Sequence, residues 1–194
     1  MWQSDVTHFP AFGRLKYVHV SVDTFSGLMW ATAQTGEAAR HVVKHWTACF
    51  AIMGVPKQIK TDNGPAYRSL SVQRFCQQWG IQHVLGILHS PTGQAVIERT
   101  HTVLKVQFER LSGQNLPTPE TIDRALFVLN CLFIRGQSTS PAIALHHASL
   151  RMRSLADSTK VTYKDATAGL WKGPANIIFV GRGYFCLSTD TVPL

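Results

Sequence analysis

Residues 15–23, LKYVHVSVD, alternate without a break: Tyr17, His19, Ser21 and Asp23 fall on one side, and Val18, Val20 and Val22 on the other. Only a pleated strand sends successive side chains to opposite faces, so this stretch is a strand whose aliphatic face needs cover. Phe25-Ser26-Gly27 turns it into a second run, LMWATAQT, and residues 2–9, rich in β-branched and aromatic side chains, supply a third. The opening is therefore a three-stranded antiparallel unit. At residue 37 the period changes. Ala38, Val42, His45, Trp46, Cys49, Phe50 and Met53 recur at helical spacing, with Gly54 and Pro56 as stop signals.

Strand and helix signals then alternate. KQIKT reads as a short strand ending at Asp62, Ser69 or Ser71 caps a helix through Trp79, and IQHVLGI is the next strand. A helix is expected from about Gln94 to Leu111. Another starts at the Thr118 cap and Pro119 and ends at Gly136, and a shorter one runs from Ser140-Pro141 to about Leu150. VTYKD, ANIIFVG and YFCLS revert to strand patterns. The order β-β-β-α-β-α-β-α-α-α predicts an α/β layer fold on a mixed sheet, with a small all-β appendage. Domain boundaries are expected at 1–153, a polar linker at 154–159, and the appendage at 160–194.

Composition narrows the partner. The chain has 19 Lys+Arg against 11 Asp+Glu, a formal charge of +8, which favours a polyanion such as nucleic acid. No apolar run reaches the roughly 18 residues of a membrane span, and the N-terminus has no signal-peptide pattern. Cys49, Cys76, Cys131 and Cys186 are scattered among apolar residues and read as buried free thiols of a reducing, intracellular compartment.

Against this basic background three acids stand out. Asp5 lies inside an apolar strand, WQSDVTH, where a charge needs a partner or a metal. Asp62 closes a strand before Asn-Gly, and Glu98 lies in the first turns of a helix, in QAVIERTH. Taken singly, Asp62 is also a turn acid and Glu98 a helix-start acid favoured by the dipole. Taken together, the first and fourth strands can be neighbours with the helix crossing beside them. Three carboxylates in one site need a counter-ion, and a divalent cation with hard oxygen ligands supplies it. Asp23 precedes a turn and reads as structural. On the helix after Glu98, Thr102, Lys105 and Glu109 share its face, so Lys105 can reach a phosphate beside the acids; His101 lies on the flank and Arg99 points away. His41 and His45, four apart, read as a polar helix face, and His146 and His147 carry no signal.

WQSDVTH, IKTDNGPAY and GQAVIERTH, with thirty-five residues between Asp62 and Glu98, resemble a retroviral integrase, most closely the betaretroviral type that includes endogenous K-type elements. The resemblance covers residues 2 to about 150 as catalytic core and continues into GLWKGPANIIFVGRGYFC, which is similar to the start of the family's SH3-like DNA-binding domain. It implies an RNase H-like mixed five-stranded sheet flanked by helices, with Asp5, Asp62 and Glu98 as catalytic metal ligands. They would hold two Mg²⁺ (or Mn²⁺) ions about 3.5–4 Å apart. It implies 3′-end processing of viral DNA and strand transfer into double-stranded target DNA, by a homo-oligomer, in the nucleus after a cytoplasmic phase.

The implied DNA contacts are Lys105, His89 and Gln94 in the core, and Lys160, Lys164, Lys172 and Arg182 in the tail, with Trp171 packed in a small β core. Gly86 to Gly93 is expected to be a mobile loop. It departs from the family pattern, reading Leu88-His89-Ser90-Pro91-Thr92 where Pro-Tyr-Asn-Pro-Gln is usual, and leaves His89 to stack on or bond a phosphate. The family's zinc-binding domain is not represented, so no structural zinc is expected. The start at MWQSD reads as cut from a longer chain, and the tail as an incomplete SH3-like domain. Two other readings compete: an endogenous relic that only binds DNA, and another RNase H-like transposase or nuclease, against which WKGP and GRGY argue.

Overall fold

The computed structural model describes residues 1–86, 95–113, 117–136, 138–156, 160–165, 168–181 and 184–188. The chain divides into two compact units, 1–146 and 147–194. The proposed appendage boundary at 153–160 is later than this division, which falls inside a helix.

The first unit is built on β1 (Trp2–His8), β2 (Tyr17–Asp23), β3 (Met29–Gln34), β4 (Gln58–Thr61) and β5 (Gln82–Leu85), in the order β3-β2-β1-β4-β5. β1 is the central strand. It runs antiparallel to β2 and parallel to β4, so the expected neighbours are neighbours and the sheet is mixed. The valine face of β2 is covered by α3 (Ala95–Ser112) and α4 (Pro119–Phe127), through Ile97, Leu104, Phe108, Ile122 and Ala125. The opposite side of the sheet is covered by α1 (Ala39–Met53) and α2 (Leu70–Gln78), through Trp46, Cys49, Phe50 and Val72. Each fully buried Trp46, Phe108 or Ile97 side chain contributes about 2–3 kcal/mol of hydrophobic stabilisation.

Local signals act as read. Gly54 ends α1 at φ +74°, donating its N–H to Phe50 O. Ser69 Oγ accepts from Val72 N at the start of α2, and Thr118 N donates to Thr121 Oγ1 at the start of α4. Pro10–Leu15 forms a 3-10 turn, too short for its period to register in the sequence.

After α4 the helix does not continue to Gly136. It widens into a π-turn, Val128–Leu132, and Phe133 is extended. The buried Asn130 side chain explains the early end: Nδ2 donates to Met29 O, and Oδ1 accepts from Met29 N, at 2.8 and 3.1 Å. That double bond straps the π-turn to the outer side of edge strand β3. Cys131 in the same turn is half-buried, not buried as expected, whereas Cys49 and Cys76 are buried. α5 (Ala142–Ala156) runs six residues beyond the predicted end, into what read as linker.

On the polar side of β2 the buried His19 and Ser21 find partners around α1. Ser21 Oγ meets Ser4 Oγ and His45 Nε2, His45 Nδ1 meets Thr32 Oγ1, and His19 Nε2 meets Gly36 O, all within 3.0 Å. His45 belongs to a polar helix face, as read, but that face is buried; burial pushes its pKa well down and keeps the ring neutral. His146, on α5, is buried as well. Its Nδ1 faces Asp23 Oδ2 at 3.2 Å and its Nε2 faces Met53 O at 2.8 Å. Both ring nitrogens thus have oxygen partners across the core. Asp23 is structural: it joins the β2–β3 turn to α5 and also accepts from Ser26 Oγ and Ser26 N.

The second unit contains β6 (Lys160–Lys164), β7 (Trp171–Gly181) and β8 (Tyr184–Ser188), an antiparallel sheet in the order β6-β7-β8. Trp171 is 72 % exposed, so it does not pack in a β core. It opens β7 opposite Lys164, at the end of the β6–β7 ladder, where nothing covers it among the described residues.

Burial alone would raise the Asp23 carboxyl, but the bonds from His146, Ser26 and two backbone N–H groups outweigh it and hold the pKa at about 2. A depressed carboxyl stabilises the fold fully above its ordinary 3.8 and loses that contribution as pH falls through 2. Asp23→Asn is expected to cost about 2 kcal/mol at pH 7 and to flatten the decline of the urea midpoint between pH 4 and pH 2.

Candidate active site

The parallel pairing of β1 with β4 sets Trp2 opposite Ile59 and Gln3 opposite Lys60, so both strands point their carboxyl ends the same way. Asp5 lies on β1 beyond that pairing, and Asp62 follows the last residue of β4. The two carboxylates line one cleft of about 590 Å³, together with Glu37, Pro65 and Tyr67. The cleft lies at the carboxyl ends of parallel strands, where open α/β sheets commonly place ligands.

Each acid is held by local chemistry. Asp5 Oδ1 accepts from Val6 N at 2.8 Å. Asp62 Oδ1 accepts from Gly64 N at 2.9 Å, an Asx turn that explains the Asp-Asn-Gly sequence. A Cβ at Gly64 would lie 3.0 Å from Asp62 Oδ1, so a side chain there would crowd the carboxylate. Asn63 Nδ2 donates to Gly86 O at 2.6 Å, and Gly86 N donates to Thr61 O at 2.7 Å. The turn that carries Asp62 is thereby bound to the end of β5.

Glu98 sits exposed in the first turn of α3 and does not line the cleft. α3 nonetheless lies against β1 beside Asp5: Ile97 N donates to Gln3 Oε1 at 3.0 Å, and His101 Nδ1 is 3.9 Å from Asp5 Oδ2. Among the described residues, no three His, Cys, Asp or Glu side chains are grouped tightly enough to hold a metal ion as they stand.

The electrostatics tie the acids together. Burial raises the Asp5 carboxyl most, the Val6 N–H opposes it, and the charges of Asp62, Glu98 and Glu37 raise it further, to about 6. His101 is pushed down to about 4, first by burial and then by repulsion from Lys105. Lys105 lies one helical turn after His101 on α3. Lys164 is exposed on β6, and Lys160 is its first residue. Lys172 pairs with Asp165, so its charge is partly engaged within the sheet. His89, Gln94 and Arg182 lie outside the described residues, as does the 87–93 stretch of the expected mobile loop. Gln3, Glu37, Asn63 and Tyr67 escaped the reading from sequence. Of these, Asn63 and Tyr67 had a visible signal, the motif around Asp62.

Comparison with known proteins gives this geometry its family. The integrase core domain family matches residues 1–91, and the integrase DNA-binding domain family matches residues 161–193. The structure superimposes on the simian T-cell lymphotropic virus intasome, solved in complex with PP2A regulatory subunit B56 gamma, with a TM-score of 0.73 at 32 % identity, over 95 % of this chain and 70 % of that one. The chain belongs to the retroviral integrase family. An HTLV-2 integrase catalytic core in complex with magnesium, in a dimeric form, matches at 32 % identity and a TM-score of 0.65, over 75 % of this chain and 94 % of that one. In sequence, this integrase is 44 % identical to the Gag-Pro-Pol polyprotein of Simian retrovirus SRV-1 over 98 % of its length, and 46 % identical to that of Mouse mammary tumor virus (strain BR6) over 96 %. It spans 11 % and 10 % of those polyproteins.

A carboxyl whose folded-state pKa is raised costs nothing below pH 3.8; the cost grows as pH rises and is complete above about 6. Asp5→Asn keeps the acceptor for Val6 N and removes the charge. In metal-free buffer it is expected to stabilise the fold at pH 7.5 by about 2–3 kcal/mol and to leave it nearly unchanged at pH 3.5, as read by urea denaturation.

Proposed function

We propose that this integrase processes the 3′ ends of viral DNA and transfers them into double-stranded target DNA, with Asp5, Asp62 and Glu98 as the ligands of two Mg²⁺ or Mn²⁺ ions. The observation that carries the reading is that Asp5 and Asp62 line one cleft at the carboxyl ends of parallel strands, with Asp5 raised to about 6 by burial first and then by the charges of Asp62, Glu98 and Glu37. A bound cation relieves paired carboxylates in a partly buried cleft, and their donors are hard oxygens only, which suits magnesium. Bound divalent ions supply activation of the attacking oxygen and neutralisation of the leaving one.

The protein's own groups do the rest. The Asx turn aims Asp62, β1 fixes Asp5, and the first turn of α3 carries Glu98. Lys105 offers a positive charge beside them for a DNA phosphate, and Lys164 offers another on the small sheet, with Lys160 as a further candidate. His89, Gln94, Lys172 and Arg182 remain proposed DNA contacts. The net charge of +8 supports binding to the polyanion. We place the reaction in the nucleus, where target DNA is found.

A second reading, a chain that binds DNA without chemistry, is favoured by the absence of Glu98 from the cleft lining. One assay separates the two: disintegration of a branched DNA with Mg²⁺ or Mn²⁺. Joining by the wild type that vanishes in Glu98→Gln is expected. A folded, DNA-binding wild type that joins nothing would leave the second reading.

We also propose that the active form is a homo-oligomer. Phe127 at the end of α4 and Leu132, Phe133 and Ile134, on and after the π-turn, are each 48–61 % exposed, an apolar set that a second copy would cover. The HTLV-2 core, solved in dimeric and trimeric forms, supports self-association. Phe133→Asp is expected to shift the mass measured by light scattering toward the monomer without lowering the melting temperature.

A further inference from the structure

We infer that Gln3 is the positioning residue for Glu98, acting as a helix cap delivered from the central strand. The inference rests on the reading above, in which Glu98 is a metal ligand. The first N–H groups of a helix have no acceptor one turn earlier, and a side chain next to the helix in sequence normally satisfies one of them. In α3 the acceptor for Ile97 N comes from ninety-four residues away: Gln3 Oε1 of β1, at 3.0 Å. Because Ile97 donates an N–H, the carbonyl end of the Gln3 amide is the end that faces it.

Two features turn this bond into a positioning device. The first is adjacency. Ile97 immediately precedes Glu98, while Gln3 and Asp5 are two apart on β1 and so share a face of the strand. One hydrogen bond thus references the backbone of the third acid to the strand that carries the first. The second is burial. Gln3 is 5 % exposed and the Ile97 side chain fully buried, so water does not readily replace a lost bond, and the helix cannot roll without opening the core.

A residue of this kind changes how readily the metal is held, and leaves DNA affinity alone. The test uses the full chain with Gln3→Met, which keeps the length and loses the acceptor, and Gln3→Glu, which keeps an acceptor. Amide hydrogen exchange of residues 95–100 is measured without metal. Exchange at Ile97 is expected to speed up at least about tenfold in Gln3→Met and to return toward wild type in Gln3→Glu. The Mn²⁺ concentration for half-maximal disintegration is then expected to rise about tenfold in Gln3→Met, the usual scale for removing a group behind a metal ligand, with the half-saturating DNA concentration unchanged. Should Gln3→Met not fold, Gln3→Asn, one methylene too short to reach, takes its place. Unchanged exchange at Ile97, or an unchanged Mn²⁺ requirement, overturns the positioning role while leaving the strand-transfer reading intact. A wild type that joins nothing with either metal overturns that reading, and this inference with it.

Discussion

Acidic groups held close together at one end of the sheet are the constraint on which the rest of the structure depends: Asp5, Asp62 and Glu37 line one cleft. A folded protein spreads like charges apart unless rigid elements hold them, and here the elements are unusually direct. Asp5 sits on the central strand, flanked by β2 and β4, with helices on both sides of the sheet. Asp62 emerges from the adjacent parallel strand through a turn that is bonded to β5. Glu98 arrives on a helix bolted to β1 from below by Ile97 and Gln3. Burial first, and then the charges of Asp62, Glu98 and Glu37, raise the Asp5 carboxyl to about 6. The core supplies the counterweight: two apolar layers on either side of one sheet leave its carboxyl end with no easy way to splay.

The wall of the cleft depends on a second, quieter arrangement. α1 follows directly after Glu37, so any drift of α1 would move that wall. Ser21, Thr32 and His45 tie α1 to β2 and β3 by buried hydrogen bonds, Trp46 Nε1 donates to Ser4 Oγ of β1, and Gln34 Nε2 donates to His41 O. Polar groups in a low-dielectric layer hold one geometry more strictly than apolar packing does, because each lost bond leaves an unsatisfied partner.

Much of this was legible in the sequence, for reasons that can be stated residue by residue. The alternation of Tyr17 to Asp23 announces β2, and Gly54 and Thr118 announce helix ends, because those effects are local. Asp5 announces itself because a charge within an apolar strand breaks a rule of burial. What stayed hidden depended on distance or on neutrality. Asp23 and His146 form their pair across more than a hundred residues, and no local pattern signals it. Gln3 is an uncharged residue in a strand and offends no rule. Glu37 belongs to no motif. The π-turn has no period of its own to detect. Trp171 misled because an aromatic in a strand usually packs, yet this one stands at the mouth of a ladder with its flank open.

The Asn130 strap has a consequence for how copies of this chain can meet. β3 is an outer strand, and outer strands offer unpaired amides on which another chain can zip up. At Met29 both backbone groups are already taken by one side-chain amide. The side chain imitates a single rung of a neighbouring strand and stops there. Any strand that paired along this edge would first have to displace the Asn130 amide at that rung.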